Sequence, residues 1–94
     1  MLIFEWDEGK NRSNKAKHGI SFERARAVFS DRAAQDFLDS RADYSEERWV
    51  TVGMAQGELL AVVNTQRGDR YRLISARKAT REETDAYFEN AGGT

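Results

Sequence analysis

Six basic side chains fall within residues 67–81 (Arg67, Arg70, Arg72, Arg77, Lys78 and Arg81), against the single acid Asp69. A guanidinium presents a planar fork of donors that matches phosphate oxygens. Three of these arginines stand in "RYRLISAR", 70–77, whose β-branched and aromatic residues read as a strand. Strand side chains alternate, so Arg70, Arg72, Ile74 and Ala76 are expected on one face, and Tyr71, Leu73, Ser75 and Arg77 on the other. Arg67 ends the preceding strand, beside a turn. Two readings stay open. In one, Arg72 snorkels over apolar neighbours and Arg77 pairs with a carboxylate. In the other, Arg67 and Arg77 line a concave basic surface that grips phosphates.

His18 is the only histidine. It is either a last-turn residue favoured by a helix dipole or an acid–base group. One imidazole excludes a two-histidine hydrolase within one chain, so proton traffic would also need Lys, Arg, Glu, Asp or Tyr. Glu47 precedes Arg48 at a strand start and forms an edge charge pair with it, or serves as a base near the arginines. Asp36, Asp39 and Asp43 are spaced irregularly, which reads as a solvated acidic segment rather than a hard-cation site. No phosphate loop is present, and there is no cysteine for a disulfide or thiolate site. No metal or cofactor is expected. "RGD", 67–69, is read as a hairpin turn.

The elements that must position these groups follow from pattern. "LIFEW", 2–6, is a first strand. Asp7 caps a helix over 8–18, an unusually polar one that stops at Gly19. Ser21 caps a second helix over 22–30, with Phe22, Ala25, Val28 and Phe29 on one face. Residues 31–46 are a polar acidic loop, inside which Phe37 and Leu38 dock a short extended piece. A meander follows, with strands over 47–55, 59–66 and 70–76 joined by short turns. Thr80 and Glu83 form a capping box for a helix near 81–89, and 90–94 fray. The order β-α-α-β-β-β-α predicts an α+β two-layer domain over 1–94, with a three- or four-stranded, mostly antiparallel sheet and helices on one face.

The net charge of −1 conceals this basic strip and an acidic stretch, 31–60, with seven acids against three basic residues. A pI near 5.8 is unlike a nonspecific nucleic-acid binder, and no basic recognition helix suggests a sequence-specific DNA binder. No apolar run reaches the ~20 residues of a membrane helix, and the opening residues lack a signal peptide's basic n-region. A cytoplasmic protein is expected.

The segments "FEWDEGKNRSNKAKHGISFERARAVFSD", "EERWVTVG" and "RLISARKATREE", with Tyr87, resemble the BrnT toxins of bacterial type II toxin–antitoxin systems. The segments run in the family's order from Phe4 to Tyr87, and the pattern departs in the loop 31–46. The resemblance implies a RelE-like fold and a metal-independent endoribonuclease that inhibits translation. It also implies a BrnA-like ribbon-helix-helix antitoxin in a heterotetramer, with DNA contacted only through the antitoxin. Cleavage would be attack of a ribose 2′-hydroxyl on the adjacent phosphate. On this reading Arg67 and Arg77 hold phosphate and transition-state charge, and His18 or Glu47 is the base. Lys17 or Tyr87 assists the leaving group, and Arg48, Arg72 and Lys78 join Lys17 in binding RNA. Tyr87 alternatively packs as a last-helix aromatic. The competing reading is a non-catalytic module whose basic strip docks an acidic partner.

Overall fold

The computed structural model describes residues 2–39 and 47–92. In chain order these form β1 (Ile3–Glu5), α1 (Glu8–His18), α2 (Phe22–Ala25) with a 3-10 segment (Arg26–Ser30), β2 (Gln35–Leu38), β3 (Trp49–Ala55), β4 (Glu58–Arg67), β5 (Arg70–Lys78) and α3 (Arg81–Gly92). The domain is α+β, with one five-stranded mixed sheet in the order β1-β5-β4-β3-β2. β1 runs parallel to β5 and the other neighbours are antiparallel.

The caps lie where their chemistry puts them. Asp7 accepts from the Lys10 amide at 2.9 Å, and Gly19 closes α1 at φ 72°. Thr80 and Glu83 form a reciprocal box, at 2.8 Å and 3.1 Å, before α3. Gln56 and Gly57 both hold positive φ in the β3–β4 turn, as a type I′ hairpin requires.

α1 has no apolar face to bury, and it is held by amides instead. Asn11 Oδ1 accepts from the Phe22 amide and its Nδ2 donates to Glu23, which stitches α1 to α2. Asn14 Nδ2 donates to the carbonyls of Ile20 and Ala76, and its Oδ1 accepts from the Ala76 amide at 3.1 Å. β1 pairs with β5 only through Arg72. Beyond that point Asn14 occupies the place of a neighbouring strand. Asp31 does the same on the other side: its Oδ2 accepts from the Met54 amide, past the end of β2.

Two apolar clusters sandwich the sheet. Ile20, Phe22, Ala25 and Val28 pack on Leu60, Val62, Leu73 and Ala76. Tyr87 packs with Val50, Val52, Ala61 and Val63. Helices therefore cover both faces, which corrects the expectation of helices on one face. β3 and β4 are near-continuous apolar runs, and such strands need cover on each side.

The segment 22–30 begins as α-helix but tightens to 3-10 from Arg26. The expected loop 31–46 holds a strand, β2, through residue 38, which makes five strands rather than three or four; its residues 40–46, Asp43 included, lie outside the described residues. α3 continues to Gly92, past the expected end, and residues 93–94 lie outside the described residues.

One irregularity governs the arginines. Val63 pairs with Ser75 but Asn64 pairs with Leu73, so Ile74 is an extra residue in β5. A bulge resets alternation. Leu73 and Ala76 consequently share one cluster, and Ile74 packs on the other.

Candidate functional site

The bulge overturns the expected segregation of Arg72 from Arg77. Arg67, Thr65, Val63 and Ala61 alternate onto one face of β4, and they pair with Arg70, Arg72, Ser75 and Arg77 in turn. All four arginines therefore lie on the α3 side of the sheet, opposite α1's neighbour α2. Arg67 and Arg77 mark the ends of this strip. Their register positions on β4, Arg67 and Ala61, are six residues apart, about 20 Å at a strand's rise. One phosphate cannot bridge both, whereas a polyanion laid along the strip meets each in succession.

Carboxylates aim two of these guanidiniums. Arg72 donates to Glu5 at 2.8 Å, with Arg70 at 3.8 Å from the same carboxylate. Arg77 grips both oxygens of Glu83 at 2.7 Å and 3.0 Å. The Arg77 guanidinium, against the opposing effect of burial and helped by the Thr80 amide, holds the Glu83 carboxyl below its usual range. Arg77 thus has a folding role through the cap of α3, as well as its place on the strip.

Two clefts border the strip. Lys10, Lys17 and His18, with Ser13 and Asn14, project from α1 towards Ile74 and Ser75 around a cavity of about 280 Å³. Ser75 stands in the arginine row between Arg72 and Arg77. The second cleft, at the β4–β5 hairpin end, is lined by Glu47, Trp49, Thr65, Gln66 and Gly68, which flank Arg67. Thr65, the register partner of Arg72, donates its hydroxyl to the Glu47 carbonyl at 2.7 Å. His18 and Glu47 therefore sit in different clefts, on either side of Arg72.

Of the remaining candidates, Lys78 and Tyr87 fall away from both clefts, while Arg48 stands between two residues that line the second. Lys78 is on the opposite face, 3.4 Å from Glu58, which also binds Arg24. Arg48 leads into β3 at the hairpin end. Tyr87 is buried, and its hydroxyl donates to Asp31 at 2.6 Å. That bond, then burial and the Asp31 charge, push its hydroxyl up to about 12. Burial pushes the Asp31 carboxyl up, but the bonds from Tyr87, Met54 and Ala33 outweigh it and hold the group below its ordinary range. Among the described residues no cluster of three or more His, Asp or Glu is placed to hold a metal ion. Lys10, Ser13 and Ser75 were not singled out from sequence. The available signal was the i, i+3, i+4, i+7, i+8 spacing of Lys10, Ser13, Asn14, Lys17 and His18, one face of a helix.

Fold and surface together define a small α+β domain whose sheet presents a row of arginines suited to a polyanion. The family model for "Ribonuclease toxin, BrnT, of type II toxin-antitoxin system" matches residues 6–83, and the chain belongs to that family. Membership makes it a ribonuclease toxin and implies an antitoxin partner. Comparison with curated proteins gave no match. Among the described residues no helix is long and apolar enough to cross a membrane.

Proposed function

We propose that this chain is a metal-independent endoribonuclease with a RelE-like fold, acting in the cytoplasm to inhibit translation. The observation that supports it best is the bulge at Ile74, which lines Arg67, Arg72 and Arg77 along one face. A single strand of RNA lies along this row, its phosphates held by guanidinium forks. The ribose 2′-hydroxyl loses its proton and attacks the adjacent phosphorus in line. The 5′ oxygen then leaves with a proton, giving a 2′,3′-cyclic phosphate. Arg72 and Arg77, aimed by carboxylates before RNA arrives, stabilise the crowded phosphorane, and such preorganised charge is worth several kcal/mol where water is excluded. His18 beside Ser75 is the base in this arrangement, and Lys17 neighbours it for the leaving oxygen. Glu47 has the equivalent place at the Arg67 end. The antitoxin is BrnA-like, with a ribbon-helix-helix domain that supplies the DNA contacts of a heterotetramer.

Arg72 and Arg77 already accommodate carboxylates, so an acidic segment fits the same row. A non-catalytic docking module is therefore the second reading. Induced expression separates the two. The wild-type chain should arrest growth and cleave RNA, with cleavage persisting in EDTA. His18→Ala and Arg72→Ala should lose at least a hundredfold in cleavage while staying folded by circular dichroism. A folded wild type that leaves growth and RNA intact would sink the ribonuclease reading in favour of docking. Loss of cleavage in EDTA would remove the metal-independent mechanism.

A further inference from the structure

A third cavity, on the opposite face at the hairpin end, has no part in the phosphate row. It measures about 200 Å³ and is lined by Asp36, Trp49, Asn64, Gln66 and Tyr71. Trp49 on β3 and Tyr71 on β5 stand on either side of β4, opposite Asn64 and Gln66. Two strand spacings across the sheet and a two-residue offset along β4 place their backbones about 12 Å apart, and the cavity between the aromatic side chains is the slot for a planar ring. Tyr71 is braced from behind by Phe4 and Phe29, at centroid distances of 6.0 and 5.3 Å.

The polar wall is held as deliberately. Buried Asn64 donates to the hydroxyl of buried Thr51 at 2.9 Å, and Thr51 donates to Asp36 Oδ1 at 2.6 Å. This relay fixes a carboxylate on an edge strand, where a solvated charge needs no fixing. A carboxylate only accepts, and its two oxygens suit two adjacent donors. Among the four RNA bases, guanine alone presents adjacent imino and amino N–H groups on its Watson–Crick edge.

We infer that the Trp49–Tyr71 slot is a base-reading pocket that takes one unstacked guanine of the bound RNA, with Asp36 as the specificity-determining residue. Stacking on aromatics and hydrogen bonding to the Watson–Crick edge is how single-stranded RNA is read. The pocket connects to the phosphate row around the sheet's end, because Trp49 and Gln66 line both this cavity and the cleft that flanks Arg67. The inference rests on the ribonuclease reading above, and it adds where sequence preference arises.

The test is fluorescence anisotropy with 2′-O-methyl pentamers, which lack the attacking hydroxyl. UUGUU should bind the wild-type chain about tenfold tighter than UUUUU or UUAUU, the discrimination of one good bidentate base contact. Asp36→Asn, isosteric and exposed, should bring the three within about twofold without weakening UUUUU. Trp49→Ala should weaken all three by about tenfold, because stacking is indifferent to base identity. Equal binding of the three pentamers by wild type, or a guanine preference that survives Asp36→Asn, overturns the pocket and leaves the phosphate row standing. Guanosine 5′-monophosphate bound as tightly as UUGUU would make this a free-nucleotide site and also overturn the inference. Failure of the folded wild type to bind any pentamer removes the RNA reading at its base.

Discussion

The hydroxyl of Tyr87 illustrates how one residue's surroundings separate a structural donor from a catalytic one. It is directed at Asp31, which also takes the Met54 and Ala33 amides, so a single carboxylate joins α3, β3 and the start of the segment leading to β2. A tyrosine in the unfolded chain ionises near ~10, and in the fold this one is pushed up to about 12. The folded state thus favours the neutral form. That stabilisation is fully present below pH ~10 and is lost as the pH rises towards about 12. Tyr87→Phe should therefore be less stable than wild type in urea at pH 8, with the difference shrinking at pH 11. A gap that stays constant would show that the hydroxyl bond is not responsible. The same scale explains why α1 looked incomplete in the sequence. Periodicity detects apolar faces, and the inward residues Asn11 and Asn14 bury hydrogen bonds instead of carbon. A helix with two asparagines three residues apart reads as weak until their backbone partners are known, and one of those, Ala76, lies 62 positions away.

Among the elements, β5 shows both the reach and the failure of the alternation rule. Its start was legible though it runs to Lys78, two residues past the expected end, and the capping box that follows it was legible too, because Thr80 and Glu83 act locally. The bulge was not, because the extra residue is Ile74, a β-branched and half-buried residue typical of a strand, with no glycine or proline beside it to mark it. Only the pairing with β4 reveals it. Deleting Ile74 tests the arrangement: alternation from Leu73 to Ser75 then becomes regular, with Leu73 and Ala76 still on one face and Arg72 and Arg77 still on the other. The deletion should fold, lose about 1–2 kcal/mol for one half-buried side chain in urea melts, and keep its RNA affinity within about threefold. Complete loss of RNA binding by a folded deletion variant would mean that the bulge sets the arginine spacing as well as the side. Likewise α3's side of the sheet was out of reach of sequence reasoning, since an apolar strand such as β4 demands cover on both faces without saying which helix supplies it.

For the whole molecule, a net charge of −1 gave little hint of a surface that gathers Arg67, Arg70, Arg72 and Arg77 along one row. The chemistry was legible as a list of basic residues in a short stretch. Its geometry came from a ladder and a bulge that join distant positions. Three phosphates neutralised along the row should release about 0.7 counterions each, so a plot of log affinity against log salt should slope near −2 for UUUUU. A flat plot would mean that backbone phosphates are not what the arginines hold. Acid should act on the same scale. Asp31 and Glu83 have carboxyls held below their ordinary range, so the stability they add is present at neutral pH and lost as the pH falls through those lowered values.

Asn14 and Asp31 have one more consequence, for encounters between copies. Each blocks the exposed backbone of a long inner strand where its shorter neighbour runs out, β5 past β1 and β3 past β2. Sheet edges invite other chains to zip on, and a side chain already bonded to the ladder denies them a starting point. Among the described residues the outward edges belong to strands of three and four residues. A toxin set loose from its antitoxin therefore offers a neighbouring copy only short stretches of free backbone on which to pair.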